Sequence, residues 1–136
     1  MAPFLFTKAA LEKQPIKVFN NGNQSRDFTY VDDIVGGVIK VFEQQEKIVG
    51  AQICNIGNGN PVPLMEFISE IEKAAGTKLL KEYLPAQLGD VQVTYADTTK
   101  LRNEFGYQPV VSLNQGIESF IKWYKSYYSK QPAKLN

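Results

Sequence analysis

A mixed α/β fold, with a small sheet and about five helices, is what this chain of 136 residues predicts. Two observations carry that expectation. Short runs rich in β-branched residues alternate with longer segments whose apolar residues recur at helical spacing, and glycine, proline and asparagine punctuate the joins. The longest apolar run, AQICNIG (51–57), is nearly continuous and ends in glycine, as expected of a strand buried on both faces of a parallel or mixed sheet.

Taken in order, APFLFTKAALEKQ places Phe4, Ala9, Ala10 and Leu11 at helical spacing, with Pro3 tolerated in a first turn and Pro15 ending the helix. IKVF (16–19) is a short strand. Asn20-Asn21-Gly22-Asn23 is turn chemistry, because asparagine and glycine tolerate positive φ, and the next extended segment is 27–31. A hairpin or tight reversal is expected there, an irregular loop between unpaired strands being the alternative. Asp32 or Asp33 caps or charge-complements a helix whose apolar face carries Ile34, Val35, Val38, Ile39, Val41 and Phe42. Gly36 and Gly37 interrupt that face at a cost of about 1 kcal/mol each relative to alanine, which calls for close packing against it. NGNPVP loops into a helix over 64–75, with Leu64, Phe67, Ile68 and Ile71 inward and Gly76 as C-cap. A strand over 78–83 leads into the loop LPAQLGDVQVTY. Asp97 is a good N-cap for TTKLRNEF, which Gly106 ends. Ser112 and Gln115 fit a capping box for a last helix with Leu113, Ile117, Phe120, Ile121 and Tyr124 on its apolar side, and KQPAKLN is a frayed tail.

Composition narrows the class of function. A net charge of +1, from 15 basic and 14 acidic residues, creates no broad field for nucleic acid or an anionic membrane, so a bound anion must be held locally. The single cysteine, Cys54, cannot form an internal disulfide and lies in an apolar run, which suggests a buried thiol in a reducing compartment. No apolar run approaches the roughly 20 residues of a membrane span, and a cytoplasmic protein is expected. With no histidine, the common zinc sites and histidine-based triads are excluded.

Few residues stand out as chemistry. Arg26 offers a planar fork matched to phosphate oxygens beside a strand edge; alternatively it is a solvated arginine pairing with Asp27 or Asp32. Asp90, after Gly89 in a loop, can accept from two vicinal hydroxyls such as those of a ribose, or cap its own turn. Gln87, three residues earlier, can reach the same ligand. Tyr95 reads as an amphipathic packing residue, and Asp32-Asp33 as helix-start charges, since adjacent helical residues do not face each other. No G-x-G-x-x-G follows a strand: Gly57-Asn58-Gly59-Asn60 has too few glycines and runs into proline. Tyr-x-x-x-Lys is absent as well.

SRDFTYVDDIVGGV, AQICNIGNGNPVPLMEFISEIEKAAG, LGDVQVTYADTTKLRNEFGYQP and SLNQGIESFIKWY, in that order after APFLFTKAALEKQPIKVFNNG, resemble the carboxyl-terminal part of the extended short-chain dehydrogenase/reductases. Within that family the pattern is most similar to the nucleotide-sugar 4-epimerases, the UDP-glucuronate 4-epimerases in particular. The resemblance implies that the backbone of Lys17, Val18 and Phe19 clasps a uracil ring, that Arg26 contacts the diphosphate and that Asp90 holds ribose hydroxyls. It places Phe28 near the nucleotide and Asn55 at a strand end bordering the cofactor domain. Gln87 stands where many galactose-type epimerases have arginine, which fits the glucuronate branch better.

Family members also carry an NAD-binding Rossmann domain and a Tyr-x-x-x-Lys pair upstream of the matching part, and neither motif occurs here. The expectation is therefore a nucleotide-sugar substrate-binding domain over 1–130 and a frayed tail over 131–136, with NAD belonging to the full-length parent and no cofactor or catalytic residue expected in this chain. The implied partners are a UDP-sugar and the missing NAD-binding domain. The alternatives are a fragment of a related nucleotide-sugar decarboxylase or dehydratase, and a non-catalytic module whose apolar surface makes it a homo-oligomer.

Overall fold

The computed structural model describes residues 2–129. Five helices and two short two-stranded sheets make up the mixed α/β fold: α1 (Ala2–Glu12), β1 (Ile16–Val18), β2 (Ser25–Arg26), α2 (Val31–Glu43), β3 (Val62–Pro63), α3 (Leu64–Ala75), β4 (Lys81–Tyr83), α4 (Thr99–Phe105) and α5 (Leu113–Ser129). The expected frayed tail falls outside the described residues.

The main core lies where α3 packs between α1 and α5 over β1. Phe67, Ile68 and Ile71 of α3 meet Phe6, Ala9 and Ala10 of α1, Val18 of β1, and Ile117 and Ile121 of α5. On α3 and α5 these are positions that helical spacing marks as inward, and the α3 residues are at most 2 % exposed; on α1 the spacing holds for Ala9 and Ala10, whereas Phe6 and Thr7 are buried and Phe4 and Leu11 only half-buried. Leu101, Phe105 and Tyr107 form a second, smaller cluster. Both glycine caps are as expected, Gly76 and Gly106 closing α3 and α4 in the left-handed region at φ 74° and 67°. The capping box is also present: the Ser112 backbone N–H donates to Gln115 Oε1 (3.0 Å) and the Gln115 N–H to Ser112 Oγ (3.3 Å).

The turn after β1 forms with Asn20, Asn21 and Gly22 at φ 51°, 50° and 82°, but it does not make a hairpin. β1 pairs in parallel with β4, Ile16 opposite Lys81 and Val18 opposite Tyr83, while β2 pairs antiparallel with β3, Arg26 opposite Val62. The turn thus hands the chain from one sheet to the other. Beyond β2, residues 27–30 are extended but unpaired, and Val31 already begins α2. The strand expected over 78–83 shortens to 81–83.

Two expectations fail for one reason. Residues 51–57 form no strand among the described residues: they have no ladder partner, and Ile53 is 88 % exposed. Cys54 is accordingly only half-buried. Helix α2 fully buries only Asp33 and Gly37, packs Val41 against the second cluster, and leaves Val31, Val35, Val38, Ile39 and Phe42 exposed. Close packing at the glycines holds at Gly37, where a Cβ would come within 2.5 Å of Ile56 Cδ1 and 2.9 Å of the Tyr107 ring; Gly36 faces open space. A strand that is apolar on both faces and a helix with a broad apolar stripe need neighbours these residues do not contain.

Candidate functional site

The loop leaving β1 meets the loop leaving β4, and the latter runs on beside β2; Lys17, Val18, Phe19, Arg26, Gln87 and Asp90 lie on these segments, while Phe28 faces an apolar groove. β1 is paired on one edge only, so the backbone groups on its other edge, around Lys17, have no strand partner among the described residues. Val18 is fully buried and anchors the strand, Lys17 is exposed and Phe19 half-buried. The Leu84 N–H donates to Val18 O (2.9 Å) and the Asn21 N–H to Leu84 O (3.3 Å), which fixes the start of the 84–90 loop against the turn after β1.

That loop ends in a turn that brings Gln87 and Asp90 together. The Asp90 N–H donates to Gln87 O (3.2 Å), with Gly89 between them at φ 91°, and both side chains are exposed. The chain then runs alongside β2: the Ser25 N–H donates to Gln92 O (2.9 Å), the Thr94 N–H donates to Ser25 O (3.2 Å), and Ser25 and Val93 form a parallel bridge.

Arg26 sits in the middle of this arrangement. Its Nη1 donates to Ser25 O (2.9 Å) and Gln92 O (3.4 Å), and its Nη2 to Gln24 Oε1 (2.7 Å). It pairs with neither Asp27 nor Asp32, and makes no ion pair among the described residues. A guanidinium held by neutral acceptors alone keeps its charge uncompensated. Phe28 turns the other way: its ring stacks on Phe67 at 4.0 Å between centroids, at the mouth of an apolar groove of about 260 Å³ between α1, α3 and α5. Tyr95 is 63 % exposed, and Asn55 is tied to the Asp97 carbonyl (Nδ2 to O, 3.2 Å).

Asp97 accepts from the Thr99 N–H (3.0 Å), a bond that, with the Thr99 side chain, holds its carboxyl below the usual carboxylate range; α4 starts at Thr99, with Thr98 and not Asp97 as the N-cap residue.

Three carboxylates prove to be structural ties that sequence spacing did not mark. Asp27 accepts three backbone N–H bonds, from Asn58 (3.1 Å), Gly59 (3.0 Å) and Ala96 (3.0 Å). Asp33 is buried and accepts from Val110 (2.9 Å) and Val111 (3.1 Å), so it anchors the 107–112 segment and does more than start a helix. Glu72 receives the Leu79 N–H (2.9 Å), Lys78 Nζ (3.0 Å) and Lys81 Nζ. Burial pushes its carboxyl up, but these donors outweigh burial and hold it down at about 2. Tyr107, which donates to Gly57 O (2.8 Å), has its hydroxyl pushed up by burial and by the nearby Asp33 and Asp27 charges. The one sequence cue to any of these was the set of N–H groups in an Asn-Gly turn that need an acceptor.

A dinucleotide cofactor does not fit the residues present. The only glycine-paired turn after an apolar run, at Gly57 and Gly59, leads through Pro61 into β3, and the N–H groups of Asn58 and Gly59 are already committed to Asp27. The helix that follows, α3, begins only after β3 with Pro63 as its N-cap residue, so the glycine turn does not open directly onto a helix N-terminus as a pyrophosphate site requires.

Five helices on two short sheets, with one apolar helix face left open, are the layout found in part of the Rossmann-type epimerases. A family model for GDP-mannose 4,6-dehydratase matches residues 3–120. The chain is 39 % identical to protein CapI of Staphylococcus aureus over 145 residues, covering 96 % of this chain and 43 % of that protein. It is 38 % identical to a UDP-glucuronate 4-epimerase of Thermodesulfobacterium geofontis, covering 92 % and 38 %. Among solved structures, the UDP-glucuronic acid 4-epimerase of Bacillus cereus, in complex with UDP-glucuronic acid and NAD, superposes with a TM-score of 0.86 at 34 % identity, over 94 % of this chain and 40 % of that one. The chain belongs to the GDP-mannose 4,6-dehydratase family, as a carboxyl-terminal part of an extended short-chain dehydrogenase/reductase of the epimerase type. It spans about two fifths of the length of these relatives.

Proposed function

We propose that this chain holds the UDP moiety of a nucleotide sugar, as the substrate-binding part of an NAD-dependent 4-epimerase of the UDP-glucuronate type. Residues 1–130 would be the substrate-binding domain, and NAD would be carried by a separate Rossmann domain.

The observation that carries this reading is the state of Arg26. Its charge is not neutralised by a carboxylate, and it donates to the carbonyl of Gln92, two residues from Asp90. An anion is the natural partner for such a group, and a diphosphate can engage it bidentately. Asp90 and Gln87, presented on one turn, supply acceptors for ribose hydroxyls and a neutral donor nearby. The open edge of β1 at Lys17 supplies a backbone donor and acceptor of the kind a uracil edge pairs with, flanked by Phe19 and by Val18, whose carbonyl is taken by the Leu84 N–H. Phe28, its ring stacked on Phe67, would lie near the nucleotide at the edge of the apolar groove.

The exposed stripe of α2 and the unpaired 51–56 segment support the second half of the reading. An apolar helix face beside a segment without ladder partners is suited to close onto another α/β unit, here the NAD-binding domain. Titration calorimetry tests the nucleotide site. UDP is expected to bind in preference to ADP and to inorganic pyrophosphate, and Arg26→Ala to weaken it at least tenfold. Equal heats for all three, unchanged by Arg26→Ala, would refute the assignment.

The same α2 stripe favours a second reading, a module that self-associates without a nucleotide. Light scattering separates the two: a monomer that takes UDP supports the first, a nucleotide-blind oligomer the second.

A further inference from the structure

We infer that Asp27, next to the proposed phosphate ligand, is a positioning residue for the nucleotide site, a role that rests on the UDP reading above. Its carboxylate joins three segments distant in sequence. Oδ1 accepts from Asn58 N–H, and Oδ2 from both Gly59 N–H and Ala96 N–H, at 3.0–3.1 Å. Its own N–H donates to Thr94 Oγ1 (3.1 Å). One residue therefore ties β2, the 57–59 turn and the strand-like 92–96 segment that follows Asp90.

The joint is built closely. At Gly57 an added Cβ would lie 2.5 Å from Ala96 Cβ and 3.0 Å from Asp27 Oδ2, so the turn can approach the carboxylate only because that residue is glycine. The consequence for Arg26 is twofold. The neighbouring acid spends its acceptor capacity on three amides and not on the guanidinium, so the arginine's charge stays available to a ligand. The bond from the Ala96 N–H, together with the Asp27 N–H bond to Thr94 Oγ1, fixes the 92–96 segment against the end of β2 and so sets the separation of Arg26 from Asp90, while the two bonds from the 57–59 turn hold the carboxylate in place. Asparagine is nearly isosteric but has a single acceptor oxygen, so its NH₂ faces either the Asn58 N–H or the Gly59 and Ala96 N–H pair, and it cannot satisfy all three donors.

Asp27→Asn and Thr94→Val, which loosens the joint while keeping the carboxylate, provide the test. In the 15N-labelled chain, amide exchange at Asn58, Gly59 and Ala96 is expected to speed at least tenfold in Asp27→Asn, while the Leu79 amide, held by Glu72, is unchanged. For UDP, Asp27→Asn is expected to weaken binding about tenfold and Thr94→Val less, and Asp27→Asn added to Arg26→Ala to cost nothing further. Unchanged exchange at the three amides would overturn the joint. Full additivity with Arg26→Ala would overturn positioning through Arg26, since generalised loosening adds where positioning through one partner does not. Failure of the UDP reading looks different: the wild-type chain itself then gives no UDP signal, which removes the positioning role, and the amides alone decide whether Asp27 is the joint.

Discussion

Glu72 shows how single residues govern this fold. Its carboxylate is 6 % exposed and binds the Leu79 amide and two lysines, which ties the end of α3 to the start of β4. The folded carboxyl sits at about 2 against an ordinary 4.5, so the stabilisation it brings is fully present above pH 4.5 and is lost as pH falls toward 2. Urea unfolding followed by Trp123 fluorescence should therefore show stability falling over that window, and Glu72→Gln should lower stability at pH 7 while flattening the fall. The two adjacent glycines of α2 make an opposed pair. Gly37→Ala should destabilise by about 1–3 kcal/mol, because its methyl meets Ile56 and Tyr107, whereas Gly36→Ala, in open space on a helix, should stabilise by about 1 kcal/mol. Thr7 is fully buried and its Oγ1 has no hydrogen-bond partner among the described residues. Thr7→Val, nearly isosteric, should raise the thermal midpoint, since it removes a desolvated hydroxyl that nothing satisfies.

At the scale of elements, what the sequence made legible follows from local chemistry. α3 and α5 are found where spacing and caps put them because Gly76, Ser112 and Gln115 act on their own neighbours, and Ser112→Ala should cost about 1 kcal/mol in thermal unfolding. Strand pairing was not legible. The Asn20 to Asn23 turn has hairpin chemistry, yet β1 pairs with β4, some sixty residues on, because pairing depends on which distant edge is free and not on the turn. The run at 51–57 has the composition of a buried strand and no ladder partner here, which spacing within one chain cannot reveal. The candidate site divides the same way. Arg26 was legible as a possible phosphate ligand from its residue type, but the tie between its neighbour Asp27 and Ala96 spans 69 positions, and no local pattern announces it.

Over the whole molecule, a well-packed half and an open half stand side by side. α1, α3, α5 and β1 enclose a core of their own, while α2 exposes Val38 (60 %) and Phe42 (70 %) next to Ile53. No helix among the described residues is long and apolar enough to cross a membrane. On the proposed reading this surface meets another unit, and Val38→Ser with Phe42→Ser should leave thermal unfolding of the chain little changed while raising its solubility limit, measured by concentration-dependent light scattering. The proposed nucleotide rim is held at Asp27, which joins the end of β2 to the 57–59 turn and to Ala96. Its most direct test is a titration of the 15N-labelled chain with UDP, followed by amide shifts. The account predicts saturable shifts clustered at Lys17, Val18, Phe19, Arg26 and Asp90. Shifts confined to the apolar groove beneath Phe28, or none up to millimolar UDP, would contradict it.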